Sequence, residues 1–549
     1  MSTWTPLCAC SSKAIKPNSA TPIGLTQCSR PMAVLNFFTV RLKTSHKRKA
    51  ELYLRYQALA DGKHVTDNED VLSSFCFPLG PESVVAKEFM ASEDYMFTLT
   101  QSDGRRFQGF CRGFLPPAPK VGPRQRFPQV MCLVTNDTWC NFYFKVLQVL
   151  EQLVKSADGL LDSDLKDLPE TSHTAAFLTK LGSQLSTEPK PGQLLRLQLP
   201  KAGHLTVSPP RLIGGAGGAL LWGEDQLELQ VPPDCGNGSW NCGIPLARLL
   251  WHVPMSAMMT LIASMLMERR IILVSQARDT VTAAVQAAAA LLYPFKWHHI
   301  FLPMLPRSFK EYLAAPMPFL IGMPAQMLPL INGIPIDEVT LIDLDMGKCN
   351  PAPGSSRDDA SMLPYRDQLE AALQAVHKNI RSPTEYETSP MIAGIMQQFF
   401  LKLFGRYHQF VHEDTPEANQ QWAALLAASP APPTFGAGGG AGNHTSPRPL
   451  AAGALGPAAG RAGRRDGGDP IGALRASAMQ KESLTGHGLV FEHVAFVNTH
   501  RRNEKAHAFL TAFRGSQMYE MFMQERLALM AGGASQPSRH DPFEDRIVR

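Results

Sequence analysis

Residues 255 to 345 constrain the fold more than any other stretch, because buried helices alternate there with wholly apolar strands. Met255 to Met267 is apolar almost all round and ends at Glu268-Arg269-Arg270, the pattern of a core helix whose C-terminus is set off by positive charge. Ile271 to Ser275 is β-branched without alternation, which predicts a strand covered on both faces. Asp279 is placed to cap a second helix, Thr280 to Tyr293, whose alanine run admits a close neighbour and which Pro294 stops. His298 to Pro303 predicts a strand, Arg307 to Ala315 an amphipathic helix, and Met317 to Met323 and Val339 to Asp345 two further strands. Strands alternating with helices of this length imply parallel pairing through right-handed crossovers, hence an α/β sheet sandwiched between helices.

The flanking regions read differently. Val34 to Val40, Ser74 to Pro78, Tyr95 to Thr100, Arg106 to Arg112 and Val130 to Thr135 predict a small antiparallel sheet, with helices over Phe142 to Leu160 and Ala175 to Leu185. Residues 186–244 form a Gly- and Pro-rich connector with short strands at Leu195 to Leu199 and Leu227 to Val231. Ile392 to Val411 and Arg501 to Met530 are helical in pattern, the second with a break at Gly515. Residues 413–479 are Ala, Gly and Pro with almost no large apolar side chain, a composition that cannot repay its ordering entropy; a disordered insertion is expected there. Residues 1–31 predict a disordered or targeting tail and 533–549 a disordered one.

The chemistry-bearing patterns are incomplete. Asp343 and Asp345 end a strand as the paired carboxylates of certain phosphatases do, but Met346 and Gly347 follow where a threonine is needed. Cys235, Cys242 and His252 lack zinc-knuckle spacing, Gly214 to Gly218 lacks the Gly-Lys-Ser/Thr of a phosphate loop, and His298-His299 suits a hydrogen-bonded structural pair. No cofactor, metal or covalent catalysis is expected. Charge argues against nucleic acid, since 53 basic residues against 48 acidic ones leave only +5, scattered along the chain. The basic run Arg41 to Lys49 is the one stretch suited to an anionic membrane surface. Cys76, Cys111 and Cys132 lie in apolar runs and are expected to be buried and reduced.

The segments Glu268 to Ser275, Ala289 to Trp297, His299 to Pro306, Tyr312 to Gly322 and Leu341 to Asp345, in this order and spacing, resemble the central block of the DENN domain, with the nearest likeness to its connecdenn branch. The resemblance extends over about residues 32–410 and 480–530. It implies an upstream longin-like α+β lobe (32–185), the central three-layer α/β block (245–350), downstream helices beginning in 351–412 and completed in 480–532, and a cytoplasmic protein peripheral to endosomal or clathrin-coated membranes. It further implies a guanine-nucleotide exchange factor that promotes GDP release from a Rab GTPase in endocytic membrane traffic, or alternatively a DENN-fold scaffold that binds the GTPase without exchange. Trp297, Arg307 and Tyr312 are then the candidate GTPase contacts. Asp541-Pro542-Phe543 resembles the short motif that such proteins offer to clathrin-adaptor appendages, provided that the tail is accessible.

Overall fold

The computed structural model describes residues 35–44, 48–58, 69–100, 106–118, 124–136, 138–156, 166–186, 192–198, 226–231, 244–331, 339–350, 356–385, 388–428, 483–532 and 541–548. Five antiparallel strands, β1 (Leu35–Thr44), β2 (Arg48–Ala58), β3 (Glu93–Thr100), β4 (Arg106–Phe114) and β5 (Gln129–Thr135), form a sheet ordered β2-β1-β5-β4-β3. Helices α1 (Glu69–Cys76), α2 (Cys140–Ser156) and α3 (His173–Ser186) accompany it. Every residue of β5 is buried, which is why that strand shows no polar alternation. The predicted strand at Ser74 is instead the end of α1. Leu72, Phe75 and Cys76 recur at helical spacing and are its buried face, while the Ser73 and Ser74 hydroxyls bond the Asp70 carbonyl at 3.0 and 2.7 Å.

The connector supplies an antiparallel pair, β6 (Leu194–Gln198) and β7 (Gln226–Gln230), and leads into α4 (Leu246–His252) and α5 (Met255–Leu266). The second sheet comprises β8 (Arg270–Ser275), β9 (Ile300–Leu302), β10 (Phe319–Pro324), β11 (Val339–Asp343) and β12 (Lys348–Asn350), ordered β12-β11-β8-β10-β9. Its first four strands are parallel and β12 is an antiparallel edge, so the predicted α/β block is present. Alternate residues of β8 serve different interiors. Ile271 and Leu273 join the main core, which extends from Phe37 in the first sheet to Phe543 near the C-terminus, whereas Ile272 and Val274 pack with Ile321, Met323 and Leu313 on the other face.

Between β8 and β9 lies α6 (Arg278–Leu291), capped at Ala277. Asp279 falls inside the first turn and accepts a 2.7 Å hydrogen bond from Arg248 Nη1, so it is not the cap that its position suggested. Arg307–Ala314 is a 3-10 helix broken at Phe309, since eight residues bracketed by Pro306 and Pro316 leave little room for regular α-helix. A Cβ on Gly322 of β10 would lie 2.1 Å from the Pro303 carbonyl oxygen. Gly322→Ala is expected to destabilise the protein by about 1–3 kcal/mol, read in urea unfolding, because backbone must move to admit the methyl group.

Helices α7 (Ser356–Met362), α8 (Arg366–His377), α9 (Ser389–Phe404) and α10 (Pro416–Ala428) follow. A three-stranded sheet joins β13 (Val411–Glu413) to β14 (Ser483–Gly486) and β15 (Leu489–Glu492), and four more helices span His493–Asn498, Glu504–Phe513, Gln517–Ala531 and Pro542–Val548. The expected break at Gly515 separates the second and third of these. Two expectations of disorder are corrected. The first residues of the predicted insertion are helical in α10, with the rest, 429–479, outside the described residues; at the C-terminus, 541–548 is a docked helix and 533–540 lies outside them. Among the described residues no helix is long and apolar enough to cross a membrane.

Candidate protein-interaction site

The first sheet docks on the central block through β3, β4 and α6. Glu93 of β3 accepts from the Arg278 backbone N at 3.0 Å and from its Nη2 at 2.6 Å, and the Arg278 guanidinium lies 4.4 Å from the Tyr95 ring centroid. Arg106 at the start of β4 donates to the Trp297 carbonyl at 2.8 Å and lies over Phe301 at 5.4 Å. Every piece of this joint is a partly or wholly buried charge with an assigned partner, which holds the two sheets in one orientation.

This geometry sorts the predicted contacts. Trp297 is 3% exposed, and its indole N donates to the Ile300 carbonyl at 3.0 Å; it is a framework residue and not an accessible anchor. Arg307 opens the 3-10 helix with its backbone N bonded to Pro78 O at 2.7 Å, which leaves its side chain exposed beside exposed Lys310 and Glu311. Tyr312 is half-buried, edge-on to Phe309 at 6.2 Å, and Phe309 in turn packs on Phe75 at 5.7 Å. Arg307 and Tyr312 therefore share one short helix whose backbone is pinned to the first sheet's unit.

Two residues that sequence reading missed lie just beyond the Pro78 anchor. Val85 and Phe89, in the segment leading into β3, are 60% and 85% exposed. An exposed phenylalanine is one of the side-chain types that serve as anchors when a partner covers them. No periodicity marks them, because they belong to a loop held by backbone pairing of Lys87 with Arg126. The basic run is largely committed: Arg41 and Lys43 both bind Glu51, at 3.3 and 2.6 Å, and Arg48 donates to the Val84 carbonyl, while 45–47 lie outside the described residues.

The paired aspartates prove structural. Asp343 Oδ1 accepts from the backbone N of Asp345 and of Met346, each at 2.9 Å, and the Asp345 carboxylate accepts from Ser275 Oγ and Gln276 N, each at 2.7 Å. These bonds close the turn between β11 and β12 and tie it to β8, which is the terminal-strand role that an Asx turn performs. A groove of about 530 Å³ opens beside this turn, lined by Trp251, His252, Pro254, Asp345, Met346 and His377. Burial pushes the His252 imidazole below its ordinary value, and its Nδ1 lies 3.2 Å from the Leu344 carbonyl oxygen. Of the remaining zinc candidates, Cys235 and Cys242 lie outside the described residues.

The Asp541-Pro542-Phe543 motif is a helix start. Asp541 caps the last helix by accepting from the Phe543 backbone N at 2.9 Å, Pro542 occupies the first helical position and Glu544 the third. Phe543 is 0% exposed and packs edge-on against Phe522 at 6.1 Å. Adaptor binding required an accessible phenylalanine, so this placement corrects that expectation: burial in the core gives Phe543 its stabilising contact and takes it from any adaptor.

The Glu268-Arg269-Arg270 triplet also departs from expectation. Glu268 adopts a left-handed φ of 50°, is 4% exposed, and accepts from the backbone N of Gln517 and Met518 at 3.1 and 2.8 Å. The buried carboxylate thus caps the Gln517–Ala531 helix, where negative charge is favourable. Arg269 makes a two-pronged pair with Asp359 at 2.7 and 2.8 Å. The arginine therefore holds α7 through a salt bridge, in place of the expected helix-end charge.

The described residues thus form a chain whose two five-stranded sheets are one antiparallel and one mostly parallel, the second flanked by helices. Residues 126–347 match the family model of the DENN (AEX-3) domain. It is 27% identical over 357 residues to human DENN domain-containing protein 2B, a match covering 62% of this chain and 27% of that protein. It is also 27% identical over 349 residues to human DENN domain-containing protein 2D, covering 63% and 64%, and over 353 residues to human DENN domain-containing protein 2C, covering 63% and 33%. The matches thus span less than two thirds of each of these relatives.

Proposed function

We propose that the chain is a guanine-nucleotide exchange factor for a Rab GTPase, with an upstream unit of the longin kind and a central DENN block acting together on one partner. The DENN match carries this reading, and exposed Val85, Phe89 and Arg307 with half-buried Tyr312 are candidate contacts for such a partner. Exchange needs no bond chemistry. The factor binds the GTPase's mobile loops in a form that holds magnesium and GDP poorly, and GTP binding restores the competing form. Aromatic and arginine anchors on a rigid backbone suit that task because little side-chain freedom is lost on docking. The site of action under this reading is a cytosolic membrane surface of the endocytic route.

Release of a fluorescent GDP analogue from a panel of Rab GTPases tests the reading. Catalytic amounts of the chain are expected to accelerate release from at least one member, whereas stoichiometric binding with unchanged release would identify a scaffold and reject exchange. Phe89→Asp is expected to lower kcat/KM for release by about tenfold or more, with an unchanged unfolding midpoint because the side chain is 85% exposed. An unchanged rate would remove Phe89 from the contact face.

A further inference from the structure

Three thiols meet inside the first sheet's unit. Cys111 on β4 is directly opposite Cys132 on β5 and Tyr95 on β3, so the three residues form one row across adjacent strands and face the same side. Cys76, the last residue of α1, closes over that side; the Tyr95 hydroxyl donates to its carbonyl oxygen. The three sulfur atoms lie within 4.8 Å of one another, and all three residues are 0% exposed. Cys140 is also buried, but its Sγ is turned to Met96 Sδ at 3.6 Å. From these positions we infer that Cys76, Cys111 and Cys132 form a binding site for a single thiophilic d10 cation, Zn²⁺ in the first instance.

Sulfur atoms bound to one zinc ion at about 2.3 Å stand roughly 4 Å apart, so the observed cluster needs only small rotations about the Cα–Cβ bonds to close on the ion. Soft thiolates select zinc and copper(I) over calcium or magnesium. Charge distinguishes the two candidates. Binding to three thiols releases three protons, and the resulting three thiolates leave a net charge of −1 with Zn²⁺ but −2 with Cu⁺. The smaller buried charge is the less costly. Arg278 supplies positive charge to the same pocket: burial raises the Cys76 and Cys132 thiols, whereas at Cys111 hydrogen bonds from the other two sulfurs together with Arg278 outweigh burial and hold the thiol well below its ordinary value. The site lies beside the joint between Glu93 and Arg278, so an ion there would fasten α1, β4 and β5 together next to the contact of the two sheets.

The test uses the full chain expressed in zinc-supplemented medium and purified without chelator. Elemental analysis is expected to give about one Zn per chain, and X-ray absorption a shell of three sulfurs at about 2.3 Å. Cys111→Ser is expected to lose the ion, and Cys140→Ser to retain it. Absence of both zinc and copper(I) from the unsubstituted chain, a shell with fewer than three sulfurs, or metal retained undiminished by Cys111→Ser would each overturn the proposal. The first two readings need no variant, so a misfolded Cys111→Ser chain leaves the proposal open to refutation. Copper(I) in place of zinc at the same three sulfurs would keep the site and reject the charge argument.

Discussion

Phe295→Ala is expected to destabilise the protein by about 3–5 kcal/mol, measured by urea unfolding. Phe295 is 3% exposed, and its ring centroid lies 5.1 Å from Phe400, 5.0 Å from Phe404, 5.2 Å from Phe513 and 4.4 Å from Phe522. Four rings from three different helices thus meet one side chain of the central block. Collapse of the cavity is opposed because each of those rings is also packed elsewhere, as Phe404 is against Phe496 at 5.8 Å. Phe295→Leu, which keeps most of the volume, is expected to cost less than half as much. Equal losses for the two substitutions would show that the ring contacts are not what stabilises this junction.

Arg526→Ala is expected to release the Pro542–Val548 helix. Arg526 is 3% exposed; its Nη1 donates to Asp541 Oδ2 at 2.6 Å and to Glu544 Oε1 at 2.8 Å, and its guanidinium stacks over Phe522 at 4.7 Å. Tyr293 and Tyr407 donate their hydroxyls to the same two carboxylates, Asp541 and Glu544. Removing the only cation of this cluster leaves two carboxylates together at a partly buried site, a loss of about 3–5 kcal/mol when nothing relaxes. Undocking the helix relieves it, so hydrogen exchange of residues 543–548 is expected to rise while exchange in β5 and β8 stays unchanged. Acid has the same direction. Burial works against the Asp541 carboxylate, but Arg526's charge and the hydrogen bonds from Tyr293 and Arg526 prevail and hold its pKa below the ordinary value. A depressed folded value means that the contribution is complete above the ordinary aspartate value of about 3.9 and is lost as pH falls through the lower one. The protection factor of the last helix, with the intrinsic pH dependence of amide exchange removed, should therefore fall below about pH 4.

How much of this was legible in the sequence depended on whether a signal was periodic. The strands of the second sheet and the helices around them could be located because an apolar run, an alanine helix and well-placed prolines are local signals. The helix Glu69–Cys76 was missed because its eight residues carry only one buried face of three side chains, which reads equally well as a strand. The Asp541-Pro542-Phe543 start was read as a loose motif although Asp, Pro and Glu at successive cap positions are a helix-entry pattern. What no local pattern could disclose were partners far apart in sequence: Glu268 with Gln517, Arg269 with Asp359, and Arg106 with the Trp297 carbonyl. The candidate contact face was only half visible for a related reason. Arg307 and Tyr312 sit in a recognisable motif, whereas Phe89 is distinguished by exposure, which is a property of the folded state alone.

The bond from Glu268 to the helix that begins at Gln517 also sets an order on assembly during synthesis. The carboxylate leaves the ribosome far ahead of the two amides that it accepts from, while half-buried His299, whose Nε2 lies 3.0 Å away, is supplied by the central block itself. A fragment cut to the 126–347 family boundaries would keep that acid in its interior with the capping amides gone for good. Such a fragment is a poor choice for crystallisation or for mapping partners, and material that runs through the Pro542–Val548 helix is the sensible minimum.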